Sequence, residues 1–505
     1  MTRKARLITD KDKTISVIDD RLYGSFIEHL GRAVYDGIYE PGHPCADEDG
    51  FRTDVIGLVK DLNVPVVRYP GGNFVSNYFW EDGVGPKESR KKRLDLAWRT
   101  TEPNEVGISE FVKWAKKADT SVMMAVNLGT RGTADALNLL EYCNLDTDSY
   151  YANLRREHGD EKPFGFKLWC MGNEMDGHWQ VGHKTAYEYG RLAAETAKAM
   201  KMMDDSIECV ACGSANIDQP TFATWEKEVL VQAYEYVDYI SLHQYFDKKD
   251  GTTEDFFASI DNLDEFINTI ASICDDVKKA KNSDKTVYLS FDEWNCWYHT
   301  VAQDDERMKN DPWGLAPHLL EDDYTFEDAV VNGLALIKFI NHSDRVKIAC
   351  LAQLVNVIAP IRTEKEGPAW KQTIYYPYEH ASKYGRGTAL RAQIITDTHS
   401  TGKHGEVTDV EAAVVLSKDE DLLTVFAVNR NVNEDIELEV ELNGFEGFTA
   451  ASWQALESDD MLLTNDAGNE RVKPVDKTEI VFGNGVLKAT LKSSSWNVIV
   501  LRKEA

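Results

Sequence analysis

A (β/α)8 TIM barrel followed by a C-terminal antiparallel β-sandwich is the fold class predicted by this 505-residue sequence, and three observations predict it. Eight short apolar runs lie between residues 20 and 357, and most are followed by a segment of helical periodicity. After about residue 385 the texture changes to apolar–polar alternation with Gly, Asn and Asp at the turns. The length alone asks for two or three domains.

The elements follow in order. The opening "RKARLITDKDKTISVID" reads as a strand that precedes the barrel, and it is expected to pair with the C-terminal sheet. The eight runs are "LYGSFIEH", "VPVVRYPGGN", "SVMMAVNLG", "FKLWCMGNE", "ECVACGSAN", "DYISLHQY", "TVYLSFDEW" and "VKIACLAQLVN". Nearly unbroken apolar runs suit parallel strands buried on both faces. Between them, "DVIGLVKDLN", "ISEFVKWAKKAD", "TAYEYGRLAAETAKAMKMM" and "FEDAVVNGLALIKFIN" carry the i, i+3, i+4 pattern of amphipathic helices. In the third of these the apolar face runs through Tyr189, Leu192, Ala193, Thr196, Met200 and Met203. The acidic stretch 302–323, with two prolines, reads as a long loop after the seventh run. "EAAVVLSKDEDLLTVFAVNRNVNEDIELEVELNG" and "SSSWNVIVLRK" alternate with period two. The expected division is a barrel over 18–385 and a sandwich over 386–505, joined by strand 1–17.

Composition bounds the partners. Against 56 basic residues stand 85 acidic ones, a formal net charge of −29. Such a field repels phosphate backbones and anionic lipid, so neither nucleic acid nor a membrane surface is an expected partner. The N-terminus has no apolar stretch of signal-peptide length, and eight cysteines scattered largely through apolar runs suit buried, reduced thiols; a cytoplasmic protein is expected. Cys209 and Cys212 form a lone C-x-x-C without a second pair or nearby histidine, which argues against a metal or redox role.

Polar residues gather at the ends of the predicted strands, where a barrel of this kind carries its chemistry. Glu28 and His29 end the first run, Arg68 and Asn73 the second, Asn127 the third, and Asn173 with Glu174 the fourth. His243, Gln244 and Tyr245 end the sixth, Asp292 and Glu293 the seventh, Gln353 and Asn356 the eighth; the fifth offers only Ser214 and Asn216. Taken singly, each has an ordinary role. A lone loop glutamate such as Glu174 more often caps a helix or pairs with a lysine, Glu293 can bridge to an arginine, His243 can be a satisfied core histidine, and Arg68 can neutralise an acid. That balance shifts when Glu174 and Glu293 are placed on the fourth and seventh strands, facing each other across one mouth. Two glutamates flanking a pocket are what glycoside cleavage needs, one protonated to donate to the leaving oxygen and one ionised. No metal-spaced His/Cys cluster, G-x-S-x-G elbow, G-x-G-x-x-G or P-loop competes with that reading.

An Asn-Glu pair on strand four and a Glu on strand seven resemble the clan A glycosidases. Within that clan "RYPGGNF", "RLDLAWRTTEPNE", "MAVNLGTRG", "WCMGNEMDGHWQVGH", "ISLHQY", "DEWNCWY" and "LAQLVNVIAPI" closely resemble the glycoside hydrolase family 51 α-L-arabinofuranosidases. The likeness covers nearly the whole chain, "LTVFAVNRN" in the C-terminal sheet included. It implies an exo-acting retaining enzyme that releases non-reducing-end α-L-arabinofuranosyl residues from arabino- or arabinoxylo-oligosaccharides. It implies Glu174 as general acid/base and Glu293 as nucleophile, with Asn173 on the sugar 2-hydroxyl. Glu28, Asn73, Tyr245 and Gln353 would hold the other hydroxyls and the ring. Arg68 and His243 would flank the carboxylates, Arg68 keeping Glu293 ionised, and Trp98 and Trp297 would stack on or wall the sugar sites. No cofactor or metal is called for, and a homo-oligomer, commonly a hexamer, is implied. One departure stands at His178, where the family usually has proline; it touches the strand-four loop and the leaving-group side.

Two other readings compete. An endoglucanase or β-xylosidase of the same clan keeps the mechanism and changes the sugar; Glu28, Asn73 and Gln353 weigh against it. A non-catalytic carbohydrate-binding barrel would be expected to have lost one glutamate, and both are present.

Overall fold

Eight parallel strands close a barrel in the computed structural model, which describes residues 3–249 and 251–504. In chain order the barrel strands are Gly24–Phe26, Val66–Tyr69, Ser121–Ala125, Leu168–Met171, Glu208–Ala211, Tyr239–Phe246, Tyr288–Cys296 and Val346–Leu351. Each pairs with its sequence neighbours, and the eighth closes on the first through Cys350–Gly24 and Leu351–Ser25. The interior is packed by Phe26, Val66, Met123, Leu168, Cys170, Val210, Ile348 and Cys350, so it is a filled core and not a pore. All eight cysteines are free, and all but Cys45 are buried.

Local chemistry sets the helices. Thr185 and Glu188 form a capping box at the start of helix Ala186–Met203, and Thr325 with Asp328 does the same for Phe326–Asn341. The first buries Tyr189, Ala193, Thr196 and Met200 as its periodicity predicts, while Leu192 and Met203 are only partly covered. The second is buried along Phe326–Ile340 because it lies between the barrel and the C-terminal sheet. Any side chain at Gly333 would meet the Trp496 ring at 2.5 Å, so glycine there lets helix and sheet close on each other. Lys338, the one cation of this apolar helix, is matched by Asp264 at 2.7 Å, Asp261 at 3.1 Å and Glu411 at 3.3 Å. Among the described residues no helix is long and apolar enough to cross a membrane.

Segment 302–323 differs from the expected loop: Val301–Asn310 is a helix. Its Ala, Gln, Glu, Arg, Met and Lys are strong helix formers, but only Asp304 is buried, so it has no apolar stripe for periodicity to reveal. Asp304 ties the helix down, accepting from Thr300 Oγ1 at 2.7 Å and from the Leu320 amide at 3.1 Å.

Beyond the barrel, a ten-stranded sheet folds around a second core that includes Leu7, Leu390, Val414, Val425, Leu438, Ile499 and Leu501. The opening strand, Arg3–Val17, lies inside this sheet. It runs antiparallel to Gly387–Thr396 and parallel to Ile436–Asn443, so the sheet is mixed and not purely antiparallel. A central strand supplies two ladders and part of the core. A chain lacking residues 1–17 should therefore lose this sheet and melt at least about 10 °C lower, or fail to fold; a shortened chain with unchanged melting and an intact sheet by hydrogen exchange would contradict this role.

Candidate active site

The site is built around a buried cation. Arg68, on the second barrel strand, is 1% exposed and lies over the Phe26 ring of the first. Its Nη1 donates to Glu293 Oε1 at 2.8 Å and its Nη2 to Asn173 Oδ1 at 2.7 Å; Asp292 Oδ2 stands 3.9 Å from Nε. One planar fork thus joins the ends of strands two, four and seven. Tyr245, on strand six, donates its hydroxyl to the other Glu293 oxygen at 2.8 Å. Asn173 passes the bonding on, its Nδ2 donating to Asn73 Oδ1 at 3.0 Å.

Glu174 is held differently. It takes the left-handed backbone conformation, φ 42°, which a non-glycine residue adopts at a cost that surrounding structure must offset. His243 Nδ1 lies 2.9 Å from Glu174 Oε1 and 3.6 Å from Glu293 Oε2. The indole N–H of Trp179 donates to Glu174 Oε2 at 2.8 Å. Burial opposes a charge on His243, but Glu293 and Glu174 together outweigh it and raise its pKa above the ordinary imidazole value. One oxygen from each glutamate and the His243 nitrogen lie within 4.8 Å of one another. A cation could meet that spacing, but Arg68 already supplies positive charge to Glu293, and all three groups are engaged in hydrogen bonds.

Glu28 forms the third wall. Its Oε1 accepts from the Phe74 amide at 2.7 Å and from the Trp98 indole at 3.0 Å. Gln353 grips the same residue, accepting from the Glu28 amide at 3.0 Å and donating to Oε2 at 3.4 Å. Trp98 is carried by a hairpin, Arg93–Asp95 with Thr100–Glu102, whose tip Asp95 caps by accepting from the Ala97 and Trp98 amides. A side-chain carbon at Gly72 would fall 3.0 Å from both Glu28 Oε2 and Glu293 Oε1, so "YPGGN" leaves room for two carboxylates to approach. Burial, reinforced by the charge of Glu293, pushes the Glu28 carboxyl up to about 8. Trp297 packs edge-on against Tyr245, ring centres 5.4 Å apart, with its indole nitrogen buried and unpartnered.

The predicted residues Glu28, Arg68, Asn73, Trp98, Asn173, Glu174, His243, Tyr245, Glu293, Trp297 and Gln353 thus form one connected cluster. Two other strand-end amides do not join it. Asn127 caps its own turn through the Gly129 and Thr130 amides, and Asn356 bonds Arg32 and Thr363. Trp179 was missed from sequence, since its link to Glu174 depends on how five residues of loop turn back; a tryptophan so soon after an Asn-Glu pair is the only hint.

Known proteins resemble this chain over nearly its whole length. Residues 58–266 match the model of the α-L-arabinofuranosidase 1 domain, and residues 292–495 match that of the α-L-arabinofuranosidase C-terminal domain. An intracellular exo-α-(1→5)-L-arabinofuranosidase of Acetivibrio thermocellus is 57% identical, covering 99% of this chain and all of the relative. Its namesake from Bacillus subtilis is 55% identical, with complete coverage of both chains. A solved family 51 α-L-arabinofuranosidase from Bifidobacterium longum superposes with a TM-score of 0.95 at 45% identity, covering 99% of this chain and 100% of that one.

The raised Glu28 carboxyl carries a stability prediction. An acid that binds its proton more tightly folded than unfolded contributes fully below its unfolded value, 4.5, and loses that contribution as pH rises toward about 8. Relative to Glu28→Gln, the wild-type unfolding free energy should fall by on the order of 2 to 4 kcal/mol across that window and then level off. Urea denaturation at a series of pH values measures it, and a pH-independent difference would contradict it.

Proposed function

Because this chain belongs to the glycoside hydrolase family 51 α-L-arabinofuranosidases, we propose that it cleaves its substrates by double displacement, with Glu293 as nucleophile and Glu174 as acid/base. It is an exo-acting α-L-arabinofuranosidase, and it is cytoplasmic, in keeping with relatives whose names call them intracellular. The proposed substrates are short arabinose-containing oligosaccharides, with the 1→5 linkage of those relatives' names as the preferred bond. One observation carries the mechanism: two glutamates with oxygens within 4.8 Å of each other have different partners. Glu293 is held by a fixed cation and a hydroxyl. Glu174 faces a histidine and a loop tryptophan. The close approach supports retention, in which the carboxyl groups stand about 5–5.5 Å apart, over inversion, which needs room for a water between them.

In the first step a Glu293 oxygen attacks the anomeric carbon as its bond to the leaving oxygen breaks, and the Glu174 proton passes to that oxygen. In the second, Glu174 takes a proton from water whose oxygen attacks the same carbon, releasing Glu293. Asn173, oriented by Arg68 and Asn73, is suited to the 2-hydroxyl, where a hydrogen bond strengthens as positive charge develops. Glu28, Asn73, Tyr245 and Gln353 are proposed to hold the ring and remaining hydroxyls, with Trp98 and Trp297 walling it. The same reading takes 18–385 as the catalytic unit and 386–505 with strand 1–17 as the second, in a homo-oligomer such as the family's hexamer.

Glu293→Ala should cut turnover by more than about 10⁴-fold on every substrate. Glu174→Ala should lose about 10²–10⁴-fold on oligosaccharides but far less on aryl arabinofuranosides with good leaving groups. Equal losses on both substrate types for Glu174→Ala would overturn the assignment. In a panel of aryl glycosides, cleavage of the β-xyloside or β-glucoside in preference to the α-L-arabinofuranoside would transfer the activity to the competing sugar.

A further inference from the structure

We propose that segment 311–321 is a strap that walls one side of the catalytic mouth and admits only a terminal sugar. Its bridge to the Trp98 hairpin, through Thr101, Trp313 and Gly314, is then a determinant of exo action. The inference rests on the roles given above to Glu174, Glu28 and Gln353. The seventh and second barrel strands are separated by the eighth and the first, yet backbone joins their loops. The Trp313 amide donates to the Arg99 carbonyl at 2.5 Å, and the Thr101 amide to the Gly314 carbonyl at 3.0 Å. Thr101 Oγ1 adds a bond to the Trp313 carbonyl at 2.7 Å. From there the chain returns across the two intervening loops. A side-chain carbon at Gly31, beyond the first strand, would lie 3.1 Å from the Leu319 carbonyl oxygen and 3.2 Å from that of Pro317. Beyond the eighth, the Ile358 amide donates to the Leu320 carbonyl at 2.6 Å.

This path is held and not slack. Helix Val301–Asn310 forms its outward arm, and Asp304 ties that arm back to the Leu320 amide at 3.1 Å. Arg32 Nε, on the first-strand loop, donates to Glu321 Oε1 at 2.6 Å. Arg99, Trp313, Ala316 and Leu320 all take left-handed backbone conformations, φ 41° to 74°, a cost that these bonds must offset. Beneath the strap lies the sugar end of the pocket. Glu28, three residues before Gly31, and Gln353, five before Ile358, are each 2% exposed. Trp98, next to Arg99, donates to Glu28 at 3.0 Å. The leaving oxygen must face Glu174 on the fourth strand, where the neighbouring Trp179 is exposed. The rest of the sugar therefore points toward the first, second and eighth strands, and toward the strap. A 1→5 chain continues through the 5-hydroxyl of each sugar. An internal residue would have to thread that continuation under the strap; a terminal one has nothing to thread. Such a clash refuses a competitor that carries the same reacting atoms.

The probes are 4-nitrophenyl α-L-arabinofuranoside and its 5-O-benzyl ether, which carries a group where a chain would continue. Thr101→Pro with Trp313→Gly removes both Thr101 donors and the ring that Arg99 lies over. A second variant replaces residues 312–316 by a glycine–serine run of equal length. In each, kcat/KM for the ether relative to the free glycoside should rise about ten- to two-hundredfold, the discrimination that one small steric difference supplies. A rise of less than about tenfold in either folded variant overturns the strap. In the unaltered protein the Thr101 and Trp313 amides should be protected from hydrogen exchange; exchange at the rate of an open chain overturns the strap whether or not a variant folds. The unaltered protein also separates the strap from the reading beneath it. If it cleaves the ether as fast as the free glycoside, within about threefold, the orientation given to the sugar fails and takes the strap with it. If it and both variants reject the ether alike, the orientation stands and only the strap fails.

Discussion

A guanidinium removed from water must be met by opposite charge inside the protein, and the placing of Glu293, Asn173 and Asp292 around Arg68 follows from that requirement, with Nη1 and Nη2 hydrogen-bonded and Nε left without a partner. An unpaired buried charge costs several kcal/mol, so the strand ends around it cannot be arbitrary. Arg68 bonds Glu293 and Asn173 directly and has Asp292 at 3.9 Å. Because the fork is planar and rigid, it sets distance as well as charge. Glu293 and Asn173, the proposed nucleophile and sugar-binding amide, are thereby placed relative to each other by one side chain on a third strand. Glycine at 72 completes the arrangement by leaving the space that Glu28 and Glu293 occupy.

The two glutamates differ in how firmly they are held. Glu293 sits within a nine-residue strand paired on both sides, and its donors also come from strands. Glu174 stands just past the end of a four-residue strand with its backbone in a left-handed conformation, and one of its donors comes from its own loop. A nucleophile must be in position before substrate arrives, whereas an acid/base must change protonation state twice in a cycle. Rigid support on one side of the mouth and adjustable support on the other suit the roles proposed for Glu293 and Glu174.

Further out, the packing of helix Phe326–Asn341 links this chemistry to the rest of the chain. It fills the space between strand seven, which carries Glu293, and the C-terminal sheet, and its burial on all sides makes it the most apolar helix of the barrel. Asn332, inside it, bonds Asn295 two residues beyond Glu293. The C-terminal sheet thus backs the helix that backs the strand carrying Glu293.

Much was legible from residues alone. Short unbroken apolar runs suit parallel strands buried on both faces, and eight of them with intervening helices fit a barrel. Alternation after residue 385 can bury only one face, so a sandwich follows. Glu174 and Glu293 became readable as a pair once their strands were counted, because strand ends of a barrel converge by construction. Other features had no sequence signal. Helix Val301–Asn310 lacks an apolar stripe, and the parallel pairing of Arg3–Val17 with Ile436–Asn443 joins segments more than 400 residues apart. Which oxygen meets which donor also stayed hidden: the fork of Arg68, the grip of Gln353 on Glu28, and the reach of Trp179 back to Glu174. Local pattern determines which faces must be buried, and so the fold and the gathering of polar residues at one mouth. The angles and contacts within that mouth depend on residues remote in sequence, and only the closed barrel decides them.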